Sequence, residues 1–451
     1  MDYFKLVVLL VTSLWQWGAF SQWTQLGNGF GTIENSAGFD IAFHPESGEP
    51  YVVFEETEDF SFKAQRFNEV SWSQVGEGFG FPFSGATRIT MAFHPETYEL
   101  YVAYADGLLD RFVVRYFDGD SWLQLGEGLG VVMEASVIDI AFHPETFEPY
   151  VVYADADSAA FIVQRFVGDE WVQVGTTQGA AGNGTGPQIG FNPLTFTPYI
   201  VYPDSWESSV VVKSFEEEVW NQIGVIPGVV LGYVKMSMTF HPLSGEPYVS
   251  YNSTGGDAFV VAHYDGDSWS FVGGTSLGTI DKRMEIAFHP LTYELYAMYP
   301  IYWNDFRVER FDGTEWQMVD EKLVGGVSDS QAESDLAFNP INAELHVIYP
   351  NADSGSFIVQ KLANAVGIDD VEQEQVLVYP NPTQSHFQIR LEKSFEEVHL
   401  TIRDPLGNQI SEEYFYQVQE ISSQIIGASG VYFLELDLGN DEKRHLSIIR
   451  D

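Results

Sequence analysis

The sequence predicts an all-β protein in which seven copies of one repeat are followed by a smaller β-structured module. Two series of residues carry this prediction. In the first, a strand-like run ends in Phe-His-Pro or Phe-Asn-Pro every 48 to 50 residues, with the phenylalanine at Phe43, Phe93, Phe142, Phe191, Phe240, Phe288 and Phe338. In the second, a tryptophan recurs at Trp23, Trp72, Trp122, Trp171, Trp220, Trp269 and Trp316. A repeat of this length indicates a propeller or a solenoid.

Each repeat contains four short segments with strand chemistry. In the third repeat these segments are rich in aromatic and β-branched residues and cover 138–142, 150–153, 161–166 and 171–174. Pro144 follows the first segment and fixes φ in a turn, and pairs such as Asp118-Gly119 indicate tight hairpins before the last segment. No segment shows the apolar spacing of a helix. Four antiparallel strands per repeat predict a blade, and hence a seven-bladed β-propeller over 22–363.

The offset between the two series predicts how the ring closes. Trp23 precedes the first Phe-His-Pro, whereas the last repeat ends with 357–362 and has no tryptophan strand of its own. The segment that begins at Trp23 is therefore expected to pair with 356–362 as the missing fourth strand. Such a closure would remove two sheet edges that would otherwise invite aggregation.

Polar residues recur on the first strand of each repeat. Because side chains alternate along a strand, they should share one face and line the central channel: Asp40, Thr90, Asp139, Gln188, Ser237, Glu285 and Asp335. The carboxylates among them offer the oxygen ligands that Ca²⁺ takes, so a cation site is one hypothesis for Asp40, Asp139, Glu285 and Asp335. A polar channel filled by water is the alternative.

Histidine precedes proline in five of the repeats, at His44, His94, His143, His241 and His289, and Asn192 and Asn339 replace it in the other two. A ring of imidazoles suggests a metal site. Asparagine, however, is a poor ligand for transition metals but a good acceptor for turn N–H groups. The pattern therefore favours caps of the turns over ligands of a metal ion, and His143→Asn is expected to change stability little.

Composition and the N-terminus predict an exported protein. The 451 residues carry a formal net charge of −44 and no cysteine, which argues against nucleic-acid binding and excludes a disulfide framework. A short apolar run after Lys5 predicts a signal peptide over 1–21, with cleavage between Ser21 and Gln22. A membrane anchor is the alternative, although the run is too short to span a bilayer. No other segment is long and apolar enough to cross a membrane.

The repeat stops at about residue 364. An acidic linker is expected over 364–375, and an alternating pattern predicts a small β-sandwich over 376–451. This C-terminal region resembles the type A sorting domain of proteins exported by the bacterial type IX secretion system. The resemblance rests on Tyr379, Pro380, Asn381, Pro382, Asp404, Gly407, Gly430 and Tyr432.

The resemblance implies a route and a set of partners. A signal peptide would take the chain across the inner membrane, and the type IX machinery would recognise the sorting domain and take the chain across the outer membrane. A sortase would then remove the domain. The remaining protein would be anchored at the surface of a Gram-negative bacterium or released.

No catalytic residue is assigned in the repeats. They contain no His-Glu-x-x-His and no phosphate-binding loop. Seven similar blades favour a non-enzymatic binding or adhesion scaffold, with a glycan or a surface protein bound by loop aromatics at Trp206, Tyr302 and Trp303. The alternative is a secreted polysaccharide hydrolase or lyase with a carboxylate pair near the channel mouth.

Overall fold

The structure is a computed structural model. It describes residues 23–32, 38–56, 58–82, 89–132, 137–181, 186–204, 209–224, 226, 236–252, 259–274, 284–301, 305–319, 323–324, 334–362, 377–379, 385–403, 409–427, 430–439 and 443–450. Every regular element among these residues is a β-strand. Accordingly, the described part of the chain contains no helix that could span a membrane. The predicted signal peptide, its cleavage point at Ser21 and Gln22, and the predicted linker over 364–375 lie outside the described residues.

Residues 20–365 form one compact unit and residues 366–451 belong to another. In the first unit the described strands form seven antiparallel sheets, which we number in chain order. Sheet 1 contains β2 Phe39–Phe43, β3 Pro50–Glu56, β4 Ser61–Phe67 and β5 Trp72–Gln74. Sheet 2 contains β6 Thr90–Phe93, β7 Leu100–Asp106, β8 Arg111–Phe117 and β9 Trp122–Gln124. Sheet 3 contains β10 Ile138–Phe142, β11 Pro149–Asp155, β12 Ala160–Val167 and β13 Glu170–Gln173.

The remaining sheets repeat this order. Sheet 4 contains β14 Gln188–Phe191, β15 Pro198–Asp204, β16 Ser209–Glu216 and β17 Val219–Gln222. Sheet 5 contains β18 Met236–Phe240, β19 Pro247–Asn252, β20 Phe259–Tyr264 and β21 Trp269–Phe271. Sheet 6 contains β22 Glu285–Phe288, β23 Leu295–Ile301, β24 Asp305–Phe311, β25 Trp316–Met318 and the short β26 Leu323–Val324. Sheet 7 contains β27 Asp335–Phe338, β28 Leu345–Asn351, β29 Ser356–Leu362 and, from the N-terminus, β1 Trp23–Gln25.

The first strands of the sheets contact one another in chain order. The contacts run through β2, β6, β10, β14, β18, β22 and β27, and β27 in turn contacts β2. The fourth strand of sheet 7 is β1, which pairs with β29 in the register Trp23 to Leu362. This is the pairing predicted from the offset between the two series. The sheets therefore adopt a propeller-like arrangement.

The core of this unit lies between consecutive sheets. Its largest fully buried side chains include a repeated set on the second strands that is less than 2 % exposed: Phe54, Tyr104, Tyr153, Tyr202, Tyr251, Tyr299 and Tyr349. Tyr104 of sheet 2, for example, packs on Phe62 of sheet 1 with the ring centroids 4.7 Å apart. Each such ring buries a large apolar area. Aromatic packing between neighbouring sheets thus stabilises a unit that has no disulfide.

Tryptophans of sheets 1 to 6 each form a hydrogen bond to the preceding sheet of the ring. The indole N–H of Trp122 in sheet 2 donates to the carbonyl of Val75 in sheet 1 at 3.1 Å. Gly76 follows with φ 65°, and a Cβ there would lie 2.9 Å from the indole nitrogen, so this close approach requires glycine. The same indole-to-carbonyl bond is made by Trp72, Trp122, Trp171, Trp220, Trp269 and Trp316.

The second unit contains a five-stranded antiparallel sheet. Its strands are β30 Leu377–Tyr379, β31 His386–Arg403, β32 Gln409–Gln424, β33 Gly430–Asp437 and β34 Lys443–Arg450. The order is β30-β31-β33-β34, and β32 pairs with β31. The long strand β31 changes register between Arg390 and Phe395. Its buried face moves there from the odd positions, such as Ile389, to the even positions, such as Leu400, as expected for a bulge.

Candidate functional site

The polar residues of the first strands form hydrogen bonds between neighbouring sheets. The Asp40 carboxylate of sheet 1 accepts the backbone N–H of Met91 in sheet 2 at 2.8 Å. Thr90 Oγ1 lies 3.1 Å from Asp40 and 3.2 Å from Asp139, so its hydroxyl joins three sheets. Asp139 in turn accepts the N–H of Ile189 in sheet 4 at 2.9 Å. These side chains therefore hold the first strands in register with one another.

This arrangement gives Asp40 and Asp139 a structural role between the sheets. Asp335 accepts the N–H of the next residue, Leu336, at 2.7 Å. Glu285, like Asp40, is buried. Among the residues that the structure describes, no group of three or more His, Cys, Asp or Glu side chains is arranged to hold a metal ion. Calcium binding by Asp40, Asp139, Glu285 and Asp335 stays a prediction.

The histidines cap their turns, as the sequence analysis predicted. His143 Nδ1 accepts the backbone N–H groups of Glu145 and Thr146 at 3.2 and 3.1 Å. Asn192 Oδ1 accepts the equivalent pair, from Leu194 and Thr195, at 2.9 and 3.1 Å. An acceptor nitrogen requires a neutral imidazole. Burial lowers the pKa of four of these side chains, which favours that neutral form: His94, His143, His241 and His289.

Whether the capping residue is His or Asn correlates with the fifth residue of the turn in the next sheet. Where the fifth residue of that turn is aromatic, a histidine packs on it, in the pairs His44–Tyr98, His94–Phe147, His143–Phe196 and His241–Tyr293. Where the fifth residue is glycine, an asparagine donates to its carbonyl, from Asn192 to Gly245 at 2.8 Å and from Asn339 to Gly48 at 2.9 Å. His289 precedes a turn with Ala343 and, like the other four histidines, packs on the phenylalanine before that turn, here Phe338. Asparagine therefore occurs where the next turn has glycine, and histidine where it has an aromatic residue or alanine.

The unit has two ends with different chemistry. Because consecutive strands are antiparallel, the turns between first and second strands lie at one end, the turn end, and those between second and third strands lie at the other, the loop end. Connections between sheets also reach the loop end, since the N–H of Gly107 donates to the carbonyl of Phe81 at 2.8 Å. At the turn end each turn contacts the next, whereas at the loop end the turn sequences differ from sheet to sheet.

An exposed apolar patch lies at the loop end of sheets 1 and 2. We call Phe60, Phe81, Leu108 and Leu109 the aromatic patch; these side chains are between 37 and 75 % exposed. The rings of Phe60 and Phe81 stack with their centroids 6.2 Å apart. Buried Asp106 fixes the backbone beneath them by accepting the N–H groups of Phe81 at 3.3 Å and of Leu108 at 3.0 Å. Exposed apolar side chains on a held loop are typical of binding sites.

The backbone at Phe60 supports this interpretation. Its φ is 54°, in the left-handed region that a bulky side chain rarely adopts. The equivalent residues of sheets 2, 3 and 7 also have positive φ, but they are Asp110, Ala159 and Gly355. A phenylalanine there adds backbone strain, and its exposed ring contributes little to the core. Such strain without a packing gain indicates a function for the ring.

Charged groups border the aromatic patch. Asp59 lies next to Phe60 and 2.9 Å from the ammonium of Lys63. A hydrogen bond from Ser61 and the neighbouring Lys63 lower the pKa of the Asp59 carboxyl. In the same sheet, burial raises the pKa of Glu55 to about 7. Sheets 2 and 3 carry Ala105 and Ala154 at the position of Glu55, so this carboxyl is specific to the sheet that holds the patch.

The predicted loop aromatics follow the second strands of their repeats in the sequence. Trp206 lies between β15 and β16, and Tyr302 and Trp303 lie between β23 and β24, which are turns equivalent to that of Phe60. All three residues lie outside the described residues. Phe60 and Phe81 were not predicted from the sequence. Phe60 could have been identified there, because other repeats have Asp, Ala or Gly at the equivalent position before the third strand.

Part of the predicted sorting motif is described. Tyr379 ends β30 and Gly430 begins β33. Tyr432 is buried and contributes to the core of the second unit. Pro380, Asn381, Pro382, Asp404 and Gly407 lie outside the described residues.

Comparison with known proteins supports the assignment of this region. Residues 377–450 match the family described as the secretion system C-terminal sorting domain. The resemblance stated from the sequence is thereby confirmed. A domain of this kind implies export through the type IX system and a secreted or cell-surface protein. The chain matches none of the curated proteins.

Solved structures similar to the chain include two that are described as lectins. AofleA from Arthrobotrys oligospora is 15% identical, with 67% of this chain and 89% of that chain covered and a TM-score of 0.48. The Aleuria aurantia lectin, described as a six-bladed β-propeller with a novel mode of fucose recognition, is 12% identical over 63% of this chain and 94% of that chain, with a TM-score of 0.42. The SapL1 lectin in complex with α-methyl fucoside is 15% identical over 65% and 98%, with a TM-score of 0.47.

Proposed function

We propose that the protein is an exported, non-enzymatic binding protein that meets its ligand at the loop end, as an adhesin or a lectin-like scaffold. This proposal depends mainly on the aromatic patch. Stacked rings of Phe60 and Phe81 offer a flat apolar surface, and Asp59 and Lys63 provide polar groups at its border. This combination suits a ligand with an apolar face and a polar edge, such as a glycan or a protein loop.

The proposed architecture is a seven-bladed propeller closed by β1, followed by a β-sandwich. Seven sheets in the described residues, the cyclic contacts of their first strands and the pairing of β1 with β29 support the closed ring. Two observations support the sandwich: β31 carries a bulge, and residues on both sides of it, such as Ile389 and Leu400, share one core.

The proposal extends the binding surface to Trp206, Tyr302 and Trp303. Their turns correspond in sequence to the turn that presents Phe60. Several loops of one end would then contribute aromatic side chains, and binding through several contacts gains strength from their linkage in one rigid unit.

A glycan array with purified mature chain 22–451, probed with and without calcium, tests the binding proposal. Phe60→Ala and Phe81→Ala should each reduce binding about tenfold, since a buried aromatic contact is worth roughly 1–3 kcal/mol. Val70→Ala is the matched control because Val70 is an exposed apolar side chain of the same sheet at the turn end. Unchanged binding by both phenylalanine variants would contradict the proposed site.

The same samples test the alternative functions. A reducing-sugar assay detects polysaccharide cleavage, and turnover that disappears in Asp139→Asn or Glu285→Gln would identify a hydrolase or lyase instead. Binding that requires calcium and is lost in Asp335→Asn would support a cation site in the channel. Both outcomes would move the functional residues away from the aromatic patch.

We further propose that residues 1–21 are removed as a signal peptide between Ser21 and Gln22. The secretion machinery would then recognise 376–451, and a sortase would remove that domain at the outer surface of a Gram-negative bacterium. The repeat unit 22–363 and the linker 364–375 would remain. Mass spectrometry of the mature protein tests this, and an intact C-terminus at the cell surface would argue against removal.

A further inference from the structure

The third residue of each turn at the turn end divides this end into two arcs. In sheets 1 to 3 the residue is glutamate, and we call Glu46, Glu96 and Glu145 the acidic arc. In sheets 4 to 7 it is aliphatic, and we call Leu194, Leu243, Leu291 and Ile341 the apolar arc. The side chains of the apolar arc are between 43 and 69 % exposed.

The apolar arc is continuous because successive turns touch. Asn192 of sheet 4 donates to Gly245 in the turn of sheet 5 at 2.8 Å. His241 of sheet 5 packs on Tyr293 in the turn of sheet 6, and His289 of sheet 6 packs on Phe338 at the start of the turn of sheet 7. The four aliphatic side chains therefore lie along one strip of neighbouring turns.

Folding does not require an aliphatic residue at this position. The N–H of Leu291 donates to His289 Nδ1 at 3.2 Å, and the N–H of Glu96 donates to His94 Nδ1 at the same distance. The turn is thus built equally well around leucine and glutamate. The third turn residue is aliphatic and exposed in four consecutive sheets, although glutamate fits there as well. Exposed apolar side chains of this kind indicate a surface for a partner.

The acidic arc lies beside the apolar arc. The seven turns contain no lysine or arginine, and their glutamates are Glu46, Glu49, Glu96, Glu99, Glu145, Glu148, Glu246, Glu294 and Glu344. Those of sheets 5 to 7 lie within 3.1 Å of His263, Arg310 and Lys361 on the third strands, whereas the three glutamates of the acidic arc are exposed. The chain as a whole carries a net charge of −44. A second copy of the chain seated face to face would bring one strongly acidic surface against another. Charge complementarity instead favours a basic partner.

We infer that the apolar arc is a docking surface for a protein segment whose apolar side chains are bordered by lysine or arginine. The aliphatic side chains would bury the apolar side of the partner, and the exposed glutamates of the acidic arc would meet its cations. This surface lies at the end opposite the aromatic patch, so that both ends could be occupied at once.

A synthetic amphipathic peptide of leucine and lysine, compared with its leucine and glutamate counterpart, tests this inference by titration against the mature chain. The leucine–lysine peptide should bind and the glutamate peptide should not. Leu291→Glu and Ile341→Glu should each weaken binding about tenfold, the effect of losing one buried aliphatic contact. These variants add negative charge, so a purely electrostatic attraction would make binding tighter and would overturn the inference.

Two control variants sharpen the test. Val70→Glu adds the same charge at an exposed position outside the apolar arc, and it should not weaken binding. Glu145→Gln removes one charge of the acidic arc in sheet 3, which adjoins sheet 4, and should weaken binding. Thermal unfolding should be unchanged in every variant. If the protein is instead a dimer that Leu291→Glu converts to a monomer, the occupant is a second copy and the inference is wrong.

Discussion

The two ends of the repeat unit are built from the same seven sheets but follow different rules. At the turn end, the capping residue is His or Asn in every sheet, and its identity depends on the turn beside it. At the loop end, equivalent positions hold residues as different as Phe60, Asp110 and Gly355. Positions where neighbouring sheets touch therefore keep one or two residue types. Positions without such a contact can vary, and a variable position is available for a function.

The comparison also holds within the turn end. The first residue of each turn varies with the fifth residue of the next turn, because asparagine occurs only where that fifth residue is glycine. The third residue points to solvent and varies independently, from Glu96 to Leu291. The same physical criterion therefore separates structural from candidate binding positions at both ends.

The largest effect is expected from breaking a matched pair. In Gly245→Tyr, a Cβ would lie 2.7 Å from Asn192 Oδ1, so the side chain would clash and the buried asparagine would lose its bond to the next turn. We expect the free energy of unfolding to fall by roughly 2–4 kcal/mol. All tryptophans of the mature chain lie between Trp23 and Trp316, so their fluorescence measures unfolding of this unit alone.

The double variant Asn192→His with Gly245→Tyr is the control for this prediction. It recreates the pair formed by His241 and Tyr293 in the neighbouring sheets, and Tyr293 already has a φ of 59° at this position. The double variant should regain most of the lost stability. Additive losses would show that the two residues are not coupled.

A smaller loss is expected from His143→Ala. It removes the acceptor of two turn N–H groups and the ring that packs on Phe191 with centroids 5.1 Å apart. We expect a cost of roughly 1–2 kcal/mol, measured by chemical denaturation. His143→Asn keeps the acceptor but not the ring, so its cost should lie between those of Ala and the wild type. A neutral Asn variant, as the sequence analysis expected, would show that the ring contact contributes nothing.

The two ends should respond to pH in opposite directions. Burial raises the pKa of Glu55 from 4.5 to about 7, so the folded state holds a proton that the unfolded state releases. Stability should therefore fall as the pH rises from 4.5 to 7. Glu55→Ala, which copies Ala105 and Ala154, should raise the melting temperature more above pH 7 than near pH 4.5. An equal shift at both values would contradict the pKa of this carboxyl.

The capping histidines should lower the stability of the protein as the pH decreases. Burial lowers the pKa of His94, His143, His241 and His289 below 6.5, so the unfolded state takes up protons that the folded state resists. Stability should fall as the pH decreases below 6.5. Between pH 6.5 and more acidic values, the melting temperature of His143→Asn should fall less steeply than that of the wild type. An identical pH dependence would refute the role of this histidine.

The smallest effect on stability is expected at the aromatic patch. Phe60→Gly places the residue of sheet 7, Gly355, at a position with φ 54°. Relief of strain should offset the small loss of packing, so that the melting temperature changes by less than about 2 °C, while ligand binding decreases. A large loss of stability would indicate that Phe60 is a core residue rather than a binding residue.

The repeat, its four strands, the partner of the N-terminal strand and the turn caps could all be predicted from the amino-acid sequence. These features follow from local pattern and from copies that can be compared within one chain. The sorting domain was identified in the same way, from a local motif around Tyr379 and Gly430 that matches a known family.

The contacts of each repeated residue could be read only from the folded chain. Asn192 donates a hydrogen bond to Gly245, Asp40 accepts one from Met91, and Phe60 stacks on Phe81. Each of these contacts joins residues from different parts of the chain. Residues about 20 to 50 positions apart become neighbours only when the sheets assemble. The local pattern specifies each sheet, but packing between sheets sets these contacts and leaves the aromatic patch and the apolar arc exposed.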